Sequence, residues 1–171
     1  MPPEPGAPTV ARLIHEELCV ALDLPVGWEL DYDEDKDRLD AVGSDTAYCV
    51  GDFCPSITVQ RVSFTGDEAD FARLAQESLE TASSHYAGFE LLWSQEAASG
   101  RAARCYSFRP GGGDETVLQL QGLVAPDNDA AVFLLNCTAP KLTFPHLDQV
   151  FRHAIDSFVS LGPDYVAPED D

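Results

Sequence analysis

Each group of residues in this chain that could do chemistry lacks a component its chemistry requires. Asp31, Asp33, Asp35 and Asp37 are spaced like the oxygen ligands of a calcium loop. Such a loop turns on a glycine at its sixth position and closes on a bidentate glutamate at its twelfth, where this chain has Lys36 and Val42. A solvated acidic loop is expected instead. His146, Gln149, His153 and Asp156 recur at helical spacing. Imidazoles seven positions apart lie about 10.5 Å apart along a helix axis, too far to share one metal. The stripe therefore reads as a polar face on which His153 and Asp156 can interact. Gly111-Gly112-Gly113 is flanked by Arg109-Pro110 and Asp114-Glu115. It lacks the Lys-Ser/Thr and the following helix of a phosphate loop, and reads as a flexible hairpin connection.

The thiols and hydroxyls are no better placed. Cys19, Cys49, Cys54, Cys105 and Cys137 form an odd set, suited to reduced thiols rather than a disulfide framework. The spacing of Cys49 and Cys54 matches neither a redox pair nor a zinc set. Cys105 and Cys137 sit in apolar strand-like stretches and read as small buried residues. Ser63 and Ser107 lack a hydrolase elbow. Cys49, Cys54 and His146 are the remaining catalytic suspects. No catalytic constellation, metal site or cofactor is expected, and the chain reads as non-enzymatic.

What remains is apolar surface chemistry. Trp28, Tyr48, Phe53, Phe64 and Trp93 are candidate partner-binding residues, since aromatic side chains bury large area at small entropic cost. The same types also build ordinary cores. Composition narrows the partner: 171 residues carry 30 acids against 10 bases, a net charge of −20. Taking away the −4 of residues 162–171 and the −5 of residues 29–40 still leaves −11. That field repels phosphates and anionic membrane surfaces, so nucleic acid is excluded as a generic partner. No apolar run approaches the ~20 residues of a membrane span, so no stable membrane insertion is expected.

The elements that must position these residues follow from periodicity. Leu18, Val20, Leu22 and Leu24 alternate as a strand, followed by a Pro25-Val26-Gly27 turn beside Trp28 and Leu30. Short strands are expected over 38–42 and 56–64, then a helix over 67–84 with Phe71, Leu74, Ala75, Leu79 and Ala82 on one face. Strands over 88–97, 101–109, 115–125 and 130–138 follow, separated by turn residues. Leu147, Val150, Phe151, Ala154, Ile155 and Phe158 then mark a last helix, with Pro145 in its first turn and Gly162-Pro163 beyond it. Successive strands without helical crossovers require an antiparallel sheet. The fold class is α+β, an antiparallel sheet with two main helices. Residues 1–16 read as a flexible extension, 17–160 as a single domain and 161–171 as an acidic tail.

In this order, several motifs resemble the PsbP-like superfamily, which includes the bacterial DcrB and LpqN-related proteins and the chaperones of type VI secretion effectors. They are Leu22-Asp23-Leu24-Pro25-Val26-Gly27-Trp28, Ile57-Thr58-Val59-Gln60-Arg61-Val62, the helix over 68–84, Ser99-Gly100-Arg101-Ala102-Ala103-Arg104, the hairpin over 115–140 and Ile155-Asp156-Ser157-Phe158. The resemblance covers residues 17–160 and implies an α/β/α sandwich with a protein-binding role. Taken together, the residues and the resemblance predict a cytoplasmic interaction, chaperone or adaptor domain recognising an apolar protein segment. A homodimer is compatible with the same surface chemistry. A small-ligand or lipid-binding protein is the alternative.

Overall fold

Alternating apolar residues build most of the molecule, and a computed structural model describes residues 6–44 and 46–169. Strands β1 (Val10–His15) and β2 (Val20–Pro25) form an antiparallel hairpin. Strands β3 (Glu29–Asp33), β4 (Arg38–Val42) and β5 (Ser56–Ser63) lead to helix α1 (Glu68–His85). Strands β6 (Glu90–Ala98), β7 (Arg101–Phe108), β8 (Val117–Val124) and β9 (Ala131–Pro140) follow, then helix α2 (Phe144–Ser157) and strand β10 (Val159–Ser160). Seven strands pair antiparallel in the order β3-β4-β5-β9-β8-β7-β6, while β1-β2-β10 form a small second sheet.

The two faces of the large sheet carry separate cores. On one, Leu39, Ile57, Val59, Leu120, Phe133 and Leu135 meet β2 and the apolar stripe of α2. On the other, Phe71 and Ala75 of α1 pack with Ala102, Leu123 and Val132. Farther along α1, Leu79 and Ala82 pack with Tyr106, Phe108 and Val117. The result is an α/β/α sandwich: α1, the large sheet, then α2 with the small sheet. Asp67 caps α1, accepting from the Asp70 amide at 2.9 Å while Asp70 accepts from the Asp67 amide at 3.0 Å.

Several expectations need correction. The proposed extension 1–16 contains β1, whose six residues pair in register with β2. Its exposure alternates irregularly, so no period-2 signal marked it. The domain also continues past 160: the Leu161 amide donates to the Cys19 carbonyl at 2.8 Å, and Gly162 is buried. The acidic stretch is a β3–β4 hairpin rather than a loop, with Asp31 and Asp33 in β3 and Asp37 at φ 51° in the turn. Cys49 and Cys54 are joined in a disulfide, which corrects the expectation of five reduced thiols. Their Cα atoms lie 4.2 Å apart because residues 50–53 fold back on themselves, Val50 and Phe53 exchanging backbone hydrogen bonds. The Gly111–Gly113 connection forms a 3-10 turn over Pro110–Gly112. His153 pairs across to Asp23 at 2.6 Å rather than with Asp156, because β2 lies against α2.

Candidate functional site

Five aromatic residues were the sequence's candidates for one groove, and the sheet divides them. Trp28 and Tyr48, each 8% exposed, belong to the core on the α2 side. Thr143 at the start of α2 donates to the Tyr48 carbonyl at 2.6 Å, and the Tyr48 hydroxyl donates to the Gly6 carbonyl. Trp93 packs on that same core from β6, with the Arg152 guanidinium 5.0 Å from its ring centroid. Phe53 is exposed within the disulfide-closed loop. Phe64 packs on the opposite side of the sheet, beside Phe71. The five do not line one groove: Trp28, Tyr48 and Trp93 join the core on the α2 side, Phe64 the cluster on the α1 side, and Phe53 an exposed loop.

The surface that the structure assembles instead lies on the α1 side of the large sheet. α1 lies beside β6 and packs over β7, β8 and the Val132 end of β9, while no helix packs over β5 and β4 on that face among the described residues. Register places Arg104, Gln121, Asn136, Thr58, Asp40 and Asp31 side by side on six strands. The neighbouring row is Tyr106, Gln119, Thr138 and Ser56. A third row brings Leu134 beside Gln60 and Arg38.

Hydrogen bonds fix these rows. Arg104 Nε donates to Gln121 Oε1 at 2.7 Å, and Gln121 Nε2 donates to Asn136 Oδ1 at 2.8 Å. Thr138 donates to Gln119 Oε1 at 2.8 Å, and the Gln119 amide donates to the Tyr106 hydroxyl. Nearer the hairpin, Thr58 donates to Asp40 at 2.9 Å. Arg38 Nε lies 3.3 Å from Asp40 but is buried without a hydrogen bond among the described residues. Linked side chains in fixed orientations present amide and hydroxyl groups as a pre-organised surface.

Charge and apolarity grade across the face. Glu29, Asp31, Asp33 and Asp40 face the same way on β3 and β4, against Arg38 alone. Toward α1 the surface becomes apolar, with Val62 39% exposed and Leu134, Leu74 and Phe64 half-buried. Burial pushes the Tyr106 hydroxyl up to about 12 and lowers the Arg104 guanidinium from its usual range. The Tyr106 hydroxyl therefore keeps its proton at neutral pH. Among the described residues no group of three or more His, Cys, Asp or Glu side chains is arranged to hold a metal.

Sequence reasoning missed these residues individually. The local signal was present in β8 and β9, where Gln119, Gln121, Asn136 and Thr138 alternate with apolar residues.

The architecture has solved counterparts, although no family model and no curated protein matches the chain. It is similar to the Ran-binding protein Mog1p of Saccharomyces cerevisiae, at 10% identity and TM-score 0.65, covering 91% of this chain and 97% of that one. It is similar to the cyanobacterial PsbP of Synechocystis, at 12% identity and TM-score 0.60, covering 92% and 96%. LpqN of Mycobacterium tuberculosis, involved in cell envelope biogenesis, matches at 18% identity and TM-score 0.57, covering 88% and 90%. The two helices, the antiparallel sheets and these matches give the chain the PsbP-like fold.

Proposed function

We propose that this chain is a non-enzymatic protein-interaction domain whose contact surface is the open half of the large sheet. The observation that carries the reading is the ordered row Gln121–Asn136–Thr58–Asp40, half-buried and without a covering helix among the described residues. A fixed polar surface of this kind suits recognition rather than turnover. That the structurally similar Mog1p is a Ran-binding protein supports a protein partner for this fold, while fold alone selects no particular one.

The occupant is a segment of a different protein, amphipathic and basic. Its apolar side meets Val62, Leu134 and Phe64, which retains the chaperone or adaptor reading for an apolar segment. Its cations meet Asp31, Asp33 and Asp40. A second copy of this chain is disfavoured because two bodies of charge −20 repel each other. No helix among the described residues is long and apolar enough to cross a membrane. A cytoplasmic location belongs to the same proposal, and the Cys49–Cys54 disulfide weighs against it because reducing compartments keep such pairs open. Alkylation in intact cells decides: labelled Cys49 and Cys54 mean a reducing compartment, and protected ones an oxidising compartment.

A photo-crosslinking side chain at Thr58, with a control at the exposed Leu142, tests the surface. We expect a saturable protein adduct from Thr58 alone, weakened by added salt and by Asp31→Lys with Asp33→Lys. Equal adducts from both positions, or none from Thr58 across native growth conditions, would overturn the proposal.

A further inference from the structure

The chain contains eight arginines, and their partners differ in one telling respect. Arg12, Arg38, Arg61, Arg73 and Arg152 each lie within ion-pair distance of an aspartate. Arg101 and Arg109 are exposed. Arg104 is 3% exposed and has no carboxylate within ion-pair distance among the described residues. Its Nε donates to Gln121 Oε1 and its Nη2 to Ser78 Oγ, both neutral acceptors. Nη1 donates in none of the hydrogen bonds among the described residues, yet it is not sealed off, since Arg38 Nε is the one enclosed side-chain nitrogen or oxygen there without a partner. A buried cation with only neutral partners is strongly disfavoured, and the chain has 30 acids from which a partner could have come. Such a break in local rules marks a position kept for function.

Arg104 also lines a cavity of about 280 Å³ between α1 and the β6–β7 hairpin. Ala75, Leu79, Ala97 and Ala102 give it an apolar wall, while Ser94 and Gln95 add polar groups. We propose that this cavity binds a small aliphatic carboxylate, with the Arg104 guanidinium as its counter-ion. The site adjoins the protein contact proposed above, Arg104 being bonded to Gln121 of that face, but does not rest on that reading. The opening is small, suiting a carboxylate with a short alkyl tail rather than a long lipid chain. Guanidinium–carboxylate hydrogen bonds are charge-assisted on both sides. A doubly charged phosphate fits poorly, because the exposed Glu96 belongs to the same lining and no second cation does.

Sodium hexanoate titrated into the full chain, followed by nitrogen–proton correlation NMR, tests the site. Hexanol and sodium chloride at matched ionic strength serve as controls. Saturable shifts at the Arg104 side chain, Ser78 and Ala97 are expected with hexanoate and with neither control. Arg104→Met should weaken binding at least about tenfold, the factor expected for one charged hydrogen bond. Glu96→Gln should tighten binding by removing a like charge. Ala97→Leu fills the cavity while keeping the cation, and should abolish binding even if Arg104→Met fails to fold. Equal shifts with hexanol, no saturable shift, or undiminished hexanoate binding by folded Arg104→Met or Ala97→Leu would overturn the proposal.

Discussion

Tyr32 and Tyr106 illustrate how single residues tie the molecule to its solvent. The Tyr32 hydroxyl donates to the Asp37 carboxylate at 2.8 Å, while Tyr106 packs against Phe89 with ring centroids 5.0 Å apart. Burial is the first cause that pushes each phenol up to about 12 from its ordinary 10.0. For Tyr32 the hydrogen bond to Asp37 adds to burial; for Tyr106 the hydrogen bond from Gln119 opposes it. The folded state therefore keeps protons that the unfolded chain releases between pH 10 and 12. The stability they contribute is fully present below pH 10 and falls as pH rises through that window. Urea midpoints measured across it should drop, and Tyr32→Phe with Tyr106→Phe should flatten the decline. An unchanged slope in the double variant would contradict this assignment.

At the scale of elements, α2 sits closely on β8. A Cβ placed on Gly122 would lie 2.8 Å from Ile155 Cγ2, so the helix rests directly on the strand backbone. Gly122→Ala should destabilise the fold by about 1–3 kcal/mol, the usual cost of overpacking. Ile155→Val in the same chain should recover part of that loss in chemical unfolding. Equal stability of wild type and Gly122→Ala would show that α2 can slide. Element identities were largely legible from local sequence: the strand expected over 38–42 appears as Arg38–Val42, and the helix over 67–84 as Glu68–His85. Side-chain period is a local property, and an apolar stripe declares itself. β1 was not legible, because Val-Ala-Arg-Leu-Ile-His does not alternate and only pairing with β2 makes it a strand.

Over the whole molecule, charge sets the conditions under which the fold works. A net charge of −20 places much like charge on one small body, and self-repulsion opposes compactness. Raising salt through ~0.1 M shortens the Debye length to about 10 Å and should raise Tm. A Tm independent of salt would mean that local ion pairs already balance the surface. The sequence by itself determined this acidity, the α+β class, the two amphipathic helices and six of the seven strands of the central sheet, β3 excepted. Those properties depend on composition and on the spacing of neighbouring side chains. Only the tertiary structure decided which face of the sheet stays open, and that Trp28 and Tyr48 go to the core. It also decided that Arg104 is buried with no described carboxylate within ion-pair distance. Gln121, Asn136, Thr58 and Asp40 meet because four strands distant in sequence pair in one register. Register and helix placement are set by packing between distant segments, which a local pattern does not encode.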